Sequence, residues 1–75
     1  MGRWRADYHE QIENFAAAVP AHGDEALGAA TIFGRQNKPR LSPRAVRETL
    51  DELAAFGDIE VQLRNGWRRV YRWRP

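Results

Sequence analysis

The chain contains no cysteine and, among its 75 residues, a single serine and a single methionine. Without cysteine, neither a disulfide framework nor a thiolate-ligated zinc can hold the fold together, and an intracellular setting is favoured. No apolar run approaches the roughly 20 residues of a membrane-spanning helix. The first residues, MGRWRADYHEQ, also lack the apolar stretch of a signal peptide. We therefore expect a cytoplasmic protein without a membrane partner, forming one small domain over residues 1–75.

Residues suited to catalysis are equally scarce. Ser42 precedes a predicted helix, where a capping role accounts for it. His9 and Glu13 share a face of another predicted helix, but two groups are fewer than the three or four ligands of a zinc site. The carboxylates within residues 48–52 fit the exposed side of an amphipathic helix. The sequence thus predicts neither an enzyme nor a bound metal or cofactor.

The net charge of +2 conceals a strong segregation of charge along the chain. Residues 35–47 carry five basic side chains and no acidic one, and residues 48–60 carry five acidic side chains and no basic one. The last segment, residues 61–75, again carries five arginines without an acid. Two basic blocks of this kind favour a polyanionic partner if folding brings them together.

Apolar periodicity predicts three helices, over about residues 7–19, 24–33 and 43–56. In the first, Tyr8, Ile12, Phe15, Ala16 and Val19 form one apolar stripe. The second is predicted to start with Asp24 as its cap. The third has Ser42 as N-cap, proline at its first position and Gly57 at its end, and Val46, Leu50 and Leu53 share one of its faces.

After Gly57 the period changes to two, which predicts a hairpin over about residues 58–73 with its turn at Asn65–Gly66. A two-residue turn would pair Arg64 with Trp67. A three-residue loop, with Gly66 in a left-handed bulge, would pair Leu63 with Trp67. The second register leaves fewer misplaced side chains and is favoured. It gathers on the core side Ile59, Val61, Leu63, Trp67, Tyr71 and Trp73, with Arg69 inside, Val70 outside, and Arg64, Arg68 and Arg72 facing outward.

Three helices, the last reading LSPRAVRETLDELAAFGDI, followed by a hairpin with an Arg-Asn-Gly tip, resemble the winged helix-turn-helix DNA-binding domain. The resemblance covers roughly residues 8–73 and implies an α+β fold, a small winged helix whose C-terminal two-stranded antiparallel hairpin is the wing. The connector before Ser42 is longer than the tight turn usual in that family. The ending RVYRWRP is also similar to the last strand of small winged domains in replication proteins of mobile elements such as plasmids or phages.

The resemblance implies binding of double-stranded DNA, as a transcriptional regulator or as the DNA-docking module of a replication or recombination protein. The third helix would lie in the major groove, and the wing would reach the flanking backbone or minor groove. The residues implied to contact DNA are Ser42, Arg44, Ala45, Arg47 and Glu48 on the third helix, Arg35, Lys38 and Arg40 before it, and Arg64, Asn65 and Arg68 on the wing.

Three alternatives stay open at this stage. In the first, Arg44 and Arg47 only pair with Glu48 and Asp51 as solvated charges. In the second, the domain is a protein-interaction module that docks a partner or forms a homodimer through its third helix or through exposed apolar residues such as Val70. In the third, the aromatic residues within 67–73 stack on RNA or single-stranded bases.

Overall fold

The computed structural model describes residues 9–75, and it has three helices followed by a two-stranded antiparallel hairpin. This α+β arrangement agrees with the order predicted from sequence. The elements are α1 (His9–Ala18), α2 (Ala29–Arg35), α3 (Pro43–Phe56), β1 (Ile59–Arg64) and β2 (Arg68–Trp73). The predicted start of the first helix near residue 7, together with Tyr8 of its stripe, lies outside the described residues. Over residues 9–75, no helix has the length and apolar character needed to cross a membrane.

The third helix has the ends that its sequence predicts. The Ser42 hydroxyl accepts a hydrogen bond from the Ala45 backbone N–H at 3.1 Å, and Pro43 occupies the first turn. Gly57 is left-handed, with φ of 88°, and its N–H returns to the last turn. Val46 and Leu50 are fully buried beneath the helix. The exposed side of α3 is therefore fixed in direction by both caps and by its apolar face.

The second helix begins five residues later than predicted, at Ala29, and extends to Arg35. Asp24 does not cap it, since Gly28 occupies the N-cap position. Leu27 instead exchanges two backbone hydrogen bonds with Tyr71, at 3.0 and 2.7 Å, and so adds an extended residue to the outer edge of β2. Leu27 was part of the apolar spacing that indicated a helix from residue 24, but it is extended here and pairs with Tyr71, which lies far away in sequence.

One core lies between the helices and the base of the hairpin. Its buried members are Phe15, Ala18, Val19, Ile32, Leu41, Val46, Leu50, Ile59 and Tyr71. Gln36 is buried beside it, donating through Nε2 to the Phe33 and Leu41 carbonyl oxygens and accepting the Leu41 N–H through Oε1. These bonds organise the connector between α2 and α3, where a buried backbone needs partners.

The hairpin register differs from both turns considered above. Arg64 pairs with Arg68 and Leu63 with Arg69, so the loop consists of residues 65–67. The loop has three residues, as favoured, but Asn65 and Gly66 are both left-handed, with φ of 58° and 80°. The predicted turn with a bulge at Gly66 alone is therefore wrong. Asn-Gly suits two successive left-handed positions, and the Trp67 N–H closes the turn on the Arg64 carbonyl oxygen at 3.4 Å.

Burial along the hairpin also departs from the predicted two faces. Ile59 and Tyr71 enter the core and Trp73 packs against it, as expected. Val61, Leu63 and Trp67 are exposed instead, whereas Val70 is 1% exposed and does not face outward as predicted. Residues 24–26 cover the face that carries Val70. Arg64 and Arg72, on the same face, donate hydrogen bonds to backbone carbonyl oxygens of this segment. The root of the hairpin is thus buried on both sides and its tip on neither.

Candidate nucleic-acid interface

A surface groove runs between the start of α2, the exposed side of α3 and the hairpin. It is lined by Gly28, Ala29, Ala30, Arg47, Trp67, Arg68, Arg69 and Tyr71. Three elements distant in sequence thus bring three arginines and one tryptophan together. The groove joins the basic block that ends at Arg47 to the C-terminal basic block, which is the juxtaposition that the charge pattern required for a polyanion site.

The arginines of α3 differ in their partners. Arg44 Nε lies 3.3 Å from Glu48 Oε2, one helical turn away, and both side chains are largely exposed. Asp51 Oδ1 lies 3.5 Å from Arg69 Nη1 on the hairpin and makes no ion pair with Arg47. The pairing of solvated charges weighed above is therefore present for Arg44 and absent for Arg47. Within residues 9–75, the Arg47 guanidinium has no ion-pair or hydrogen-bond partner.

Arg68 lies directly over Gly28. A Cβ atom at Gly28 would stand 3.3 Å from Arg68 Nη2, so the missing side chain provides the space that the guanidinium occupies. No carboxylate or carbonyl oxygen of the described part of the chain accepts a hydrogen bond from Arg68. The groove therefore presents two arginines, Arg47 and Arg68, whose donors are available to a ligand.

Trp67 lies at the tip of the hairpin and is 75% exposed. It follows the two left-handed residues of the turn and precedes the first ladder pair of β2. The other hairpin aromatics serve the fold: Tyr71 is buried, and Trp73 donates its Nε1–H to the Ala16 carbonyl oxygen at 3.3 Å. Trp67 is thus the indole of the hairpin that is free to contact a ligand.

Two arginines predicted to face outward are turned back onto the domain. Arg64 Nη2 donates to the Ala26 carbonyl oxygen at 2.9 Å and lies 3.3 Å from Glu25 Oε2. Arg72 Nη1 donates to the Asp24 carbonyl oxygen at 3.1 Å. Its Nε lies 3.1 Å from Glu60 Oε2 but does not point its hydrogen at that oxygen, so this contact is ionic. Both side chains fasten residues 24–26 over the hairpin.

Glu60 belongs to the same charged cluster. Gln62 Nε2 donates to Glu60 Oε2 at 2.7 Å. This hydrogen bond, together with contact to Arg72 and the charge of Arg74, lowers the pKa of Glu60 below its ordinary value despite partial desolvation. The carboxylate is held in its charged form, which keeps the Arg72 contact intact.

The basic connector residues do not join the groove. Arg40 stacks on the ring of Phe33, with its Cζ 4.7 Å from the ring centroid. Arg35 lines a separate depression with Asp24 and Glu25. Lys38 is exposed, and the next residue, Pro39, is bound through its carbonyl oxygen by Asn14 of α1. The connector therefore lies beside α1 and Phe33, apart from the groove between α3 and the hairpin.

The remaining predicted residues lie at the ends of the interface. Ser42 is exposed and occupied as the helix cap. Ala45 is half-buried and packs against the core, which limits what it can contact. Asn65 is exposed in the turn. Glu48 lines a shallow surface of α3 with Arg44 and Arg47.

Two side chains of the groove, Trp67 and Arg69, were not among the residues expected to contact duplex DNA, and Trp67 was considered only as a stacking residue for RNA or single strands. Both were assigned to the core side of the hairpin. Trp67 was placed there with the other apolar residues, and Arg69 was the one charged side chain that the favoured register left on that side. The signal that could have indicated Trp67 is the Asn-Gly pair itself, because two left-handed residues fix the turn immediately before it. No signal in the sequence indicated that Asp51 pairs with Arg69.

Among residues 9–75, no three histidine, aspartate or glutamate side chains are grouped so as to hold a metal ion. No protein-family model, curated protein or solved structure matches the chain.

Proposed function

We propose that this domain is a winged helix that binds double-stranded DNA through α3 and the hairpin. The observation that carries the proposal is the groove that Arg47 and Arg68 both line, each without an ion-pair or hydrogen-bond partner in the described chain. Two unpaired arginines lining one groove give it a positive potential, which favours binding of a polyanion. As to its role, we propose a transcriptional regulator or the docking module of a replication or recombination protein.

In this proposal α3 enters the major groove with its exposed side, on which Arg47 faces base edges. A guanidinium can bind guanine O6 and N7 in a bidentate manner, which is worth about 1–3 kcal/mol of discrimination. Arg68 binds phosphate oxygens and sets the position of the hairpin on the duplex. Arg69 contributes less, because a phosphate must compete with Asp51 for its guanidinium. Arg44, already paired with Glu48, contributes less because a phosphate must compete with that carboxylate.

The test is duplex binding across a salt series, comparing two variants of equal charge. Arg47→Ala/Arg68→Ala removes both groove arginines, and Arg35→Ala/Arg74→Ala removes two exposed arginines that do not line the groove. We expect the first variant to lose affinity and to reduce the slope of log K against log salt by about 1, because the phosphate contact of Arg68 is lost, and to discriminate less between sites, because the base contact of Arg47 is lost. Equal losses in the two variants, or a wild type that does not bind duplex, would overturn the proposal.

A second candidate is favoured by the exposure of Trp67. An indole at the end of a hairpin, flanked by Arg68, can stack on an unpaired base, which is worth about 1–3 kcal/mol per base. Under this candidate the ligand is single-stranded nucleic acid or the boundary between paired and unpaired strands. Trp67→Ala would then lower affinity for the unpaired ligand about 5- to 150-fold and leave duplex affinity unchanged. Trp67→Phe, which keeps a ring, serves as the matched control.

A further inference from the structure

The outer edge of β1 carries backbone groups that no described residue uses. Tyr71 directs both its N–H and its carbonyl oxygen to Leu27, on the side away from β1. Its cross-strand partner Val61 therefore belongs to a non-hydrogen-bonded pair of the hairpin. By the alternation of an antiparallel ladder, the N–H and carbonyl groups of Val61 and Leu63 point away from β2, toward the open edge.

The side chains on this edge are apolar and exposed. Val61 is 41% and Leu63 is 62% exposed, and no residue among 9–75 covers them. Exposed strand edges in proteins are commonly blunted by lysine, proline or a bulge. Residues 59–64, IEVQLR, contain no lysine or proline, and the one arginine of β1, Arg64, is turned back onto Ala26. The edge is thus equipped for strand addition, with aligned backbone groups and an apolar surface.

The sequence of β1 is complementary to itself in one antiparallel register. Pairing through the free groups requires Val61 and Leu63 to lie opposite residues of the second chain whose backbone groups also point toward the open edge. This condition leaves registers centred on residue 61, 62 or 63. Centring on Gln62 brings Val61 opposite Leu63 of a second chain and Glu60 opposite Arg64. The contacts of Arg64 with Ala26 and Glu25 use Nη2, and those of Glu60 with Gln62 and Arg72 use Oε2, so Arg64 Nη1 and Glu60 Oε1 are left for this pair. Centring on Val61 or Leu63 brings Gln62 opposite a charged side chain and pairs no acid with a base.

We propose that β1 pairs with β1 of a second copy of this chain, antiparallel and centred on Gln62, to give a four-stranded sheet with a twofold axis. Two Val61–Leu63 pairs exchange four backbone hydrogen bonds, and their side chains form one apolar cluster. A C2 interface uses the same patch on both subunits, which this self-complementary strand provides. The contact is small, so the dimer is expected to dissociate on dilution.

The absence of cysteine from the chain allows a direct test with single cysteines at residues 61, 62 and 63. In the proposed register, residue 62 faces its own copy in a non-hydrogen-bonded pair, with Cα atoms about 4.5 Å apart, within the range of a disulfide. We expect Gln62→Cys, oxidised with diamide, to form a covalent dimer faster than Val61→Cys or Leu63→Cys. Asn37→Cys, exposed in the connector, gives the collision rate.

Faster cross-linking at residue 61 or 63 would overturn the register and the charge argument with it. Rates equal to that of Asn37→Cys at all three sites would overturn the dimer and leave the edge to a strand of another protein.

Sedimentation across a concentration series supplies the second measurement. Wild-type weight-average mass should rise toward twice the monomer value, and Leu63→Pro should remain monomeric. Proline at residue 63 removes an outward N–H and leaves the ladder to β2 intact. Leu63→Lys serves the same purpose if the proline variant fails to fold. Phe56→Lys removes an even more exposed apolar side chain away from the edge and should dimerise as wild type does. A wild type that stays monomeric throughout would overturn the proposal.

Discussion

Asp51 Oδ1 lies 3.5 Å from Arg69 Nη1, so the carboxylate one turn after Arg47 is engaged by the hairpin. The contact joins α3 to β2 at the groove. It also leaves Arg47 free, because Asp51, one turn after Arg47 on α3, could otherwise pair with it. The availability of Arg47 in the groove thus depends on Arg69, whose ladder pair lies four pairs away from the root of the hairpin.

Removing this carboxylate is expected to strengthen DNA binding. Asp51→Asn leaves Arg69 free and removes a negative charge that repels phosphate, so duplex affinity should rise and its salt dependence should steepen. The pair is half exposed, and we expect folding stability to change by less than about 1 kcal/mol. Fluorescence anisotropy with a labelled duplex measures the first effect and urea unfolding the second. Glu48→Gln, on the same helix, is the matched control, and a larger gain there would contradict the assignment.

Gln36 is expected to be important for stability. Its side chain is 7% exposed and makes three hydrogen bonds to the backbone of residues 33 and 41. Gln36→Ala leaves the Leu41 N–H unsatisfied in a buried position, and we expect a loss of about 1–3 kcal/mol in the free energy of unfolding. Urea denaturation measures it. Asn37→Ala, the exposed neighbour, should change stability by less than about 0.5 kcal/mol.

Glu60 should make folding stability depend on pH. Its pKa in the folded protein is lowered from the ordinary 4.5, chiefly by the Gln62 hydrogen bond and by Arg72. A lowered folded pKa means that the unfolded state binds the proton first, so the carboxylate contributes stability above pH 4.5 and loses it as pH falls through the lowered value.

Glu60→Gln should therefore unfold more readily than wild type at neutral pH, with a difference that shrinks in acid. Thermal unfolding at a series of pH values measures it, and a difference that is constant with pH would contradict the assignment.

The parts of the fold predicted correctly from sequence are those with local causes. Ser42, Pro43 and Gly57 define the ends of α3 through contacts within a few residues, and the change from period 3.6 to period 2 after Gly57 locates the hairpin. The start of α2 could not be predicted in this way, because Leu27 is extended through a bond to Tyr71, 44 positions further along the chain.

The candidate site follows the same division. Arg47 and Arg68 were recognisable as basic residues on a helix face and a hairpin, but their shared groove depends on where the hairpin packs. The rule of one buried face failed for Val70, because a second segment covers the other face. Carbonyl oxygens and carboxylates from elsewhere in the chain decide which arginine has a partner. In the ladder pair next to the turn, Arg64 is held by Ala26 and Glu25, and Arg68 has no hydrogen-bond acceptor in the described residues.

Arg64 and Arg68 face each other across the hairpin but are expected to have opposite roles. Arg64 is held by the Ala26 carbonyl oxygen and Glu25, so Arg64→Ala should cost about 1 kcal/mol in unfolding free energy, a value reduced by its partial exposure. It should change duplex affinity little. Arg68→Ala should leave stability unchanged and lower the salt slope of duplex binding by about 1, because one phosphate contact is lost. Urea unfolding and anisotropy on both variants give the comparison, and an Arg64→Ala variant that loses affinity as Arg68→Ala does would show that Arg64 leaves Ala26 to bind DNA.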